Sequence, residues 1–491
     1  MTRTITVGSL ALLMSSTSAL ALEGKALLEE LLGKNRDRIA YGSIEETAAD
    51  SFVLSDVKIT TEDGTVQTAK RIAFEDFREE GPLVAVGTMT AEGFASPVKN
   101  EEGKEGSASV GTFTVREARL PRELFGGKIE NAKGERVAIG SLTLEGLEGD
   151  NDGDGKNDYR LARFGIEGLD APLDWRLDPE SIKAASGPAA APLTVKSVSM
   201  DGLDVETPQG TLDLASFSID DVQVPTTVDA GPLEWASTYS TMKMGKVSFA
   251  AGGKPIVSMD GLTASLTKAS DTRVDSKSAL EGIYVDLSAV PDPAFQRNAQ
   301  ALGYSELRGR MAGDGSYDTA SGEIVVDDLV LDLENVAKLA INYKMTGYTP
   351  ELARRINTLQ VAAGQDGKPA ANMVEMLSAL GELKVESATV ELTDDSITKK
   401  LLDFQAGQMN TTGDQLAAGA PMFVGIGMGS LRMPEFTQQV AEAVGTFLKN
   451  PGTLTVAAKP AAPVSFAQLM QAAQQAPRVV IEMLNVQVSA K

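Results

Sequence analysis

A six-residue motif of apolar and polar positions recurs through the first part of the chain. Its first, third and sixth residues are apolar, its second is usually small, its fourth is usually acidic, and its fifth is Gly or Asp. Alternating apolar residues predict a β-strand with one face on a core. The acid with Gly or Asp predicts a bulge or strand end before the last apolar residue re-enters the core. Copies occupy residues 52–57, 72–77, 142–147, 164–169, 198–203, 217–222, 257–262 and 324–329, with a shortened copy at 280–283.

The spacing of the copies groups eight of them into four hairpins. Within a pair the fourth residues are 20, 22, 19 and 21 positions apart: Ser55 to Glu75, Glu145 to Glu167, Asp201 to Asp220, and Asp260 to Glu281. A turn lies in the middle of the gap, as at residues 61–65 and 207–211, so each pair is predicted to form an antiparallel hairpin. Because hairpins are not stable alone, several must join into a sheet. The alternative is a parallel β-helix with rungs of about 20 residues, which the irregular spacing between pairs disfavours.

The last part of the chain combines helical and strand spacing. Helices are predicted over residues 352–361, 372–380, 395–409, 434–448 and 466–475, and strands over 383–392, 453–457 and 479–488. The helix at 434–448 is the clearest, because its apolar residues from Phe436 to Phe447 fall on one face. A Gly- and Met-rich stretch at 422–431 is predicted to be a loop over a core, with a flexible apolar contact as the alternative.

These patterns predict a mainly β protein with an α+β C-terminal domain, in which repeated antiparallel β-hairpin units form an extended sheet or groove. Residues 22–185 are predicted to hold an N-terminal helix, over 22–35, and the first two units. Residues 186–348 hold the next two units and further strands, and 349–491 form the α+β domain. Residues 96–107 and the run AASGPAAAP at 184–192 are predicted loops or linkers. Trp175 and Trp235 stand at equivalent places in two units and are predicted core anchors.

Residues 1–21 have the features of an export signal. Arg3 gives a short positive start, residues 5–14 are mainly apolar, and the segment ends in Ala19-Leu20-Ala21. We predict cleavage after Ala21 and a periplasmic location. A membrane anchor is the alternative, but this apolar stretch is too short to span a bilayer, and no other stretch is long and apolar enough. The mature chain is therefore predicted to have no transmembrane span.

Composition excludes several kinds of chemistry. The chain has no Cys and no His, which rules out Ser-His-Asp triads, Cys-His pairs, disulfides and the usual zinc sites. Its formal net charge of −23 opposes binding to nucleic acid and to anionic membrane surfaces. Scattered Ser-x-x-Lys matches lack the partner motifs of serine enzymes. We therefore predict a protein that is not an enzyme, with no catalytic residues and no nucleic-acid partner.

One stretch has the composition of a calcium loop. Asp150, Asp152, Asp154 and Asp158 stand at its first, third, fifth and ninth places, and Gly155 stands at the sixth. Ca²⁺ is bound by six to eight oxygens, and Gly permits the sharp bend that wraps them around the ion. These residues therefore predict a structural Ca²⁺ site.

The same stretch resembles the calcium loops of dockerins and EF-hands, and this resemblance implies the backbone carbonyl of Lys156 as a further ligand. It departs from them at the twelfth place, where Leu161 replaces the bidentate Glu. The expected affinity is that of extracellular modules, roughly 10⁻⁴–10⁻³ M. The loop separates the two motif copies of one hairpin, where other hairpins have plain turns. The alternative is thus an enlarged turn without metal. A bound ion would hold the two strands of this hairpin together.

Three later segments carry a further resemblance: LGYSEL at 302–307, DGSYD at 314–318, and the apolar-rich residues 324–333. With the repeated short strands behind an export signal, they resemble the periplasmic AsmA-like and YdgA-like envelope proteins over about residues 52–348. Those families usually keep a membrane anchor, whereas this chain has a cleavable signal. The resemblance implies a long antiparallel sheet in the form of a groove, with a role in lipid or envelope homeostasis.

The sequence leaves three functions open. The preferred one is a non-enzymatic envelope scaffold whose sheet binds lipid or another apolar ligand, which predicts apolar residues on both sheet faces. The second is a calcium-stabilised structural or interaction protein, which predicts one polar, wet face. The third is a carboxylate-dependent hydrolase, which predicts two acids facing each other in a deep cleft. The predicted partner is lipid or an envelope protein, and the sequence does not define the oligomeric state.

Overall fold

The computed structural model describes residues 24–32, 38–61, 63–100, 103–121, 136–172, 192–224, 238–290, 292–356, 359 and 369–491. The predicted export signal, Trp175, Trp235 and all but the last residue of the 184–192 linker lie outside the described residues. The chain divides into two compact units, Met1–Gly253 (unit 1) and Lys254–Lys491 (unit 2). The predicted fold class is confirmed, because antiparallel strands dominate and helices are concentrated towards the C-terminal end.

In the residues that the structure describes, unit 1 is an antiparallel meander preceded by the helix α1 (Gly24–Leu32). Its strands are β1 (Ile39–Ala40), β2 (Ser43–Ala48), β3 (Ser51–Thr60), β4 (Val66–Glu80), β5 (Leu83–Lys99), β6 (Glu105–Pro121), β7 (Arg136–Asp150), β8 (Tyr159–Pro172), β9 (Leu193–Thr207), β10 (Gly210–Val224), β11 (Thr241–Met244) and β12 (Val247–Ala251). From β3 to β10 each strand pairs with the next. The strands β1 and β2 both pair with β3, and β11 and β12 both pair with β10.

Unit 2 also contains an antiparallel sheet and carries most of the helices. Its elements are β13 (Lys254–Met259), β14 (Gly261–Lys268), β15 (Arg273–Asp286), α2 (Pro293–Ala301), β16 (Glu306–Asp318), β17 (Glu323–Leu333), β18 (Ala337–Thr346), α3 (Pro369–Leu380), β19 (Lys384–Asp394), α4 (Ile397–Gln408), α5 (Gly413–Met428), α6 (Pro434–Lys449), β20 (Thr453–Ala458), β21 (Val464–Ser465), α7 (Phe466–Gln475), α8 (Pro477–Leu484) and β22 (Val486–Ala490). Residues 350–356 are also helical. Strands β15 to β19 pair in order, β20 joins β19, and β22 joins β20.

In eight of the nine motif copies the fifth residue has a left-handed backbone, and Gly261 in the copy at 257–262 is the exception. The eight are Asp56, Asp76, Gly146, Gly168, Gly202, Asp221, Gly282 and Asp328, all with φ between 50° and 66°. In unit 1 the paired ladder skips this position, as between the pairs Glu75↔Thr88 and Phe77↔Val86. Because the left-handed residue turns the strand, the third and sixth residues face the same side although they are three apart. The motif thus keeps three apolar side chains on one face.

Two strands of unit 1 carry copies of this arrangement that the sequence analysis missed. Gly93 in β5 and Glu117 in β6 are also left-handed, with φ of 61° and 52°. The predicted loop or linker at 96–107 is wrong, since residues 96–99 end β5, residues 105–107 begin β6, and the two strands pair directly. The meander is therefore continuous from the first to the second predicted hairpin.

The core of unit 1 is built from the motif positions of β3 to β6. They supply Phe52, Leu54, Val57, Ile72, Phe74, Phe77, Met89, Ala91, Phe94, Phe113, Val115 and Ala118, all of them buried. The rings of Phe52 and Phe74 stack at 4.9 Å between centroids, and Phe77 packs edge-on against both. Leu27 and Leu28 of α1 belong to the same cluster. The N-terminal helix and the motif thus share one core.

In unit 2 two local predictions are wrong. The predicted strand 479–488 is the helix α8 followed by β22, and the predicted loop 422–431 is largely the second half of α5. Pro477 starts α8 at its first turn, where the missing N–H of proline costs no hydrogen bond. The helix α5 begins with a reciprocal cap between Thr412 and Gln415 and continues through Pro421. Helix α6 packs on both α5 and β22.

The three-domain division stays a prediction. Strands β8 and β9 lie on either side of the expected boundary after residue 185 and pair with each other. Likewise β18 and β19 pair across the expected boundary after residue 348. Neighbouring predicted domains therefore share backbone hydrogen bonds within each unit.

Candidate functional site

The apolar motif residues of unit 1 line up in rows that cross the whole sheet. We call this side of the sheet the apolar face. One row runs from strand to strand as Phe52, Phe74, Met89, Val115, Leu142, Ile166, Val198, Ile219 and Met242. The next runs as Leu54, Ile72, Ala91, Phe113, Leu144, Phe164, Met200, Phe217 and Met244. Neither row contains a charged residue, and both cross nine strands.

The two ends of these rows differ in burial. In β3 to β6 the apolar face is sealed, with Phe52 fully buried and Phe74 1% exposed. From β7 to β10 most of the equivalent residues, such as Leu144, Met200 and Phe217, are only half-buried. Leu212, at the edge of the same face, is 37% exposed. The apolar face is thus closed at its first strands and open over β7–β10.

The sealed end is covered by the N-terminal elements. Leu27 and Leu28 of α1 pack into the cluster, and Tyr41 and Ile44 flank it from β2 and the residues before it. A smaller buried cluster of Ala171, Leu193 and Val195 lies at one end of the open strands. Among the described residues, the remaining side chains on the open part are only partly buried by their neighbours in the sheet.

The opposite face of the open strands is polar. There the side chains alternate with the apolar rows and include Ser199 and Ser218, which pair across the β9–β10 ladder. In the described part of unit 1, then, one face is apolar and one is polar. The expectation of apolar residues on both faces is wrong for this unit, because alternation within the motif and the left-handed residue near its end keep its apolar side chains on one side. One polar face is what the calcium-stabilised alternative predicts.

The predicted calcium loop connects β7 and β8 at one end of the open strands. Its residues Asp150, Asp152 and Asp158 each place a carboxylate oxygen within 4.8 Å of the others. Asp150 is buried, and its carboxylate accepts hydrogen bonds from the backbone N–H groups of Gly153 at 2.6 Å and Gly155 at 2.8 Å. The loop N–H groups therefore fix the orientation of this carboxylate.

Asp154, the fourth predicted carboxylate ligand, is not part of this cluster. Asp154 accepts from the backbone N–H of Lys156 at 2.8 Å and from its ammonium Nζ at 3.2 Å. This ion pair raises the pKa of Lys156. Leu161, at the position where an EF-hand has a Glu ligand, is buried in the apolar face. The structure brings together three of the four predicted carboxylates, which is fewer oxygens than Ca²⁺ prefers unless water or backbone oxygens complete the set.

Near the loop, one aspartate has a lowered pKa and another has a raised pKa. The backbone N–H of Gly155, followed by that of Gly153, holds the pKa of Asp150 below its usual value. On the polar face Asp204 of β9 stands directly opposite Asp213 of β10. Burial, and then the charge of Asp213, raise the pKa of Asp204. A cation near the loop would meet one carboxylate that is firmly ionised.

A shallow concavity of about 590 Å³ also lies on unit 1, where left-handed residues and glycines face each other. Asp76, Glu117 and Asp170 line it. Asp170 forms an ion pair with Arg136 at 2.6 Å, and Asp76 pairs with Arg78. Two of its three acids are thus held by arginines, which differs from the free, facing carboxylates that a glycosidase mechanism needs.

Comparisons with known proteins give little functional information. A family model with the description "Uncharacterized protein" matches residues 330–491, a region within unit 2. No curated protein matches the chain. In the part of the chain that the structure describes, we find no helix that is long and apolar enough to cross a membrane.

The motif is visible in the sequence, but the open apolar face was not predicted. A signal for it exists, because each copy of the motif in unit 1 contributes three residues to the same face. The sequence does not show which strands are covered by other elements, because the same residue types line the sealed strands and the open ones. Exposure depends on which elements pack over the rows, and this is a property of the tertiary structure.

Proposed function

We propose that the protein is a non-enzymatic, exported β scaffold that binds an apolar ligand, with lipid acyl chains as the preferred class, on the open part of the apolar face. One observation carries this proposal: the uncharged rows continue without interruption from a sealed core onto half-buried strands. Soluble monomers rarely leave such a continuous apolar surface uncovered, and where one occurs it marks a ligand or partner site.

The dimensions of the open part suit an elongated ligand. The four strands of the open part, β7 to β10, span about 14 Å from first to last at the usual spacing of neighbouring strands. The rows run perpendicular to the strands, and their side chains, including Phe164, Met200 and Phe217, offer aromatic and flexible surfaces. With no charge on the rows, the surface favours a hydrocarbon chain over a polar or ionic ligand.

Export supports the same proposal. Residues 1–21 have the pattern of a signal that is cleaved after Ala21, and the absence of Cys suits a fold that is stabilised without disulfides. A protein with these features in a bacterial envelope would meet lipids outside the cytoplasm. The partner class that follows is a lipid or another envelope component.

Native mass spectrometry of the protein purified from its own compartment tests the proposal. We expect a co-purified adduct of lipid mass on the wild-type chain. Phe217→Asp places a charge in the middle of a row and should remove the adduct, because burying a carboxylate against hydrocarbon is costly. Ser218→Asp is the matched control: it is the next residue, it points to the polar face opposite Lys243, and it should keep the adduct. A wild-type chain without adduct, or equal loss in both variants, would contradict a ligand on this face.

A calcium-stabilised structural role is the second candidate, and the three converging carboxylates favour it. An ion bound there would clip the β7–β8 hairpin. We expect calcium to raise the melting temperature, a chelator to reverse this, and Asp158→Asn to abolish the response. Asp154→Asn is the control, since Asp154 lies outside the carboxylate cluster. A melting temperature that does not change with calcium would exclude this role without affecting the apolar-ligand proposal.

A further inference from the structure

A second apolar surface, separate from the apolar face of unit 1, lies on the helices of unit 2. Met422, Phe423 and Ile426 project from the second half of α5 and are 62%, 58% and 70% exposed. Residues three and four positions apart lie on the same side of a helix, so these side chains form one patch. We call these three residues the α5 tip.

The helix that carries the tip is capped at its start and packs against α6, so the exposure of the three tip side chains belongs to the folded structure. Thr412 and Gln415 cap its start reciprocally. On its other side Pro421 approaches α6 so closely that a Cβ at Gly445 would lie 2.7 Å from the proline ring. The helix is thus packed against α6 through small residues. The tip cannot turn inward without breaking this contact.

The segment of chain that carries the tip is uncharged. Between Asp414 and Arg432 the chain has no acidic or basic residue, although 23% of all residues are charged. Gly425, Gly427 and Gly429 lie beside the tip, and nothing stands within 4 Å of where their Cβ atoms would be. The nearest charge along the chain after the tip is the exposed Arg432. In this acidic protein the tip thus belongs to an uncharged segment that is followed by a cation.

The size of the tip points to its occupant. If a fully exposed large side chain presents about 200 Å², the three residues expose roughly 400 Å² together. A stable protein interface needs about 800 Å² from each partner, so the tip is too small for a second copy or another folded protein. Insertion of a few apolar side chains into the boundary of a bilayer needs no larger surface.

We propose that the α5 tip inserts into the interfacial layer of an electrically neutral lipid bilayer, with Arg432 placed to meet a headgroup phosphate. The net charge of −23 opposes anionic surfaces, and a neutral tip avoids that repulsion. This contact is peripheral, and it does not depend on whether the apolar face of unit 1 binds a ligand.

Flotation of the full chain with phosphatidylcholine vesicles tests the proposal. We expect the wild-type protein to float with the vesicles, also at about 0.5 M salt, because salt screens charges and not apolar insertion. Met422→Ser/Ile426→Ser should lower the partition coefficient about tenfold or more, since burying one large apolar side chain accounts for at least that factor. Phe295→Ser is the matched control: Phe295 is an apolar side chain on α2 that is 42% exposed, and its loss should leave flotation unchanged.

Three results would overturn the proposal. One is a wild-type chain that stays with the soluble fraction, and another is a tip variant that floats as well as the wild type. The third is a wild-type dimer that the tip variant converts to monomer while flotation is unchanged, which would identify a contact between copies. Thermal melting of each variant, followed by far-UV circular dichroism, verifies folding, and unchanged melting is expected because the replaced side chains are exposed.

Discussion

Asp76, a left-handed residue of the motif, packs against a glycine on the neighbouring strand, and a substitution at Gly87 tests whether this contact needs a residue without a side chain. Asp76 in β4 has φ 55° and stands beside Gly87 in β5. A Cβ added to Gly87 would lie 2.7 Å from the Cβ of Asp76 and 3.1 Å from the carbonyl oxygen of Glu75. Gly87 itself does not have a positive φ, so alanine suits its backbone, and Gly87→Ala introduces only this contact.

The size of the effect follows from the overlap. Nonbonded carbon atoms prefer about 3.5–4.0 Å, so the new methyl overlaps the Asp76 Cβ by about 1 Å. Neither atom can swing away, because each is attached directly to the backbone of a paired strand. Strands must separate locally, and overpacking of this kind typically costs about 1–3 kcal/mol. We expect Gly87→Ala to lower the free energy of unfolding by that amount.

A double-mutant cycle separates this contact from a general effect of replacing glycine. Asp76→Gly removes the opposing Cβ and puts glycine where the backbone is left-handed, so it should relieve most of the cost of Gly87→Ala. Gly407→Ala is the control, since nothing lies within 4 Å of its Cβ position in α4 and helix propensity predicts stabilisation by about 0.5–1 kcal/mol.

Urea unfolding of the full chain, followed by far-UV circular dichroism, measures these differences. The reasoning fails if Gly87→Ala unfolds at the wild-type urea concentration, or if the two substitutions are additive. The pair Glu117 and Gly140 repeats the geometry with 2.8 Å between the two Cβ positions, and it should give the same coupling.

Further predictions concern single contacts. Asp213→Asn should stabilise the protein at pH 7 by about 0.2–1 kcal/mol, as expected for relieving a like-charge cross-strand pair. Because the pKa of Asp204 is raised, the gain should shrink as pH falls and Asp204 takes up its proton, which unfolding at several pH values measures. Asp150→Asn should lower the melting temperature in chelator at pH 7, and this loss should fade as pH falls below 3.8, since the pKa of Asp150 is lowered in the fold. Tyr304→Phe removes the 2.8 Å hydrogen bond to Ser396 and should cost about 1 kcal/mol in urea unfolding, whereas Ser396→Ala should cost more, because it also removes the hydrogen bond from the Ser396 hydroxyl to the Asn335 carbonyl.

The repeat pattern predicted the strands and their pairing because it carries two independent constraints. The alternation fixes which side chains face the core, and the left-handed fifth residue fixes where the ladder breaks. The motif copy ending at Phe94 satisfies the pattern fully and was overlooked, whereas the copy around Glu117 has Arg116 in place of the usual fourth-position acid. Polar residues at 96–107 then suggested a linker where two long strands meet in a short turn.

The errors in unit 2 have local physical causes. Val479, Val480 and Ile481 favour a strand by propensity, but Pro477 starts a helix and the packing of α8 prevails. Three glycines at 425, 427 and 429 suggested a loop in α5, yet contact between Pro421 and Gly445 holds this segment helical against α6. For the predicted calcium loop, spacing identified the acids, but only the folded loop separates Asp154 from the other carboxylates.

The same motif residues form a buried core on some strands and a partly exposed apolar surface on others. The difference is whether other elements pack over them. Ile72 and Phe217 are the first residues of their motif copies and lie in the same row, yet Ile72 is 1% exposed while Phe217 is half-buried. The difference is α1 and the short strands β1 and β2, which pack only on the first strands. Burying an apolar side chain fully contributes about 1.5–3 kcal/mol relative to leaving it exposed. The sealed strands therefore stabilise unit 1, and the open strands keep apolar surface that a ligand can still bury.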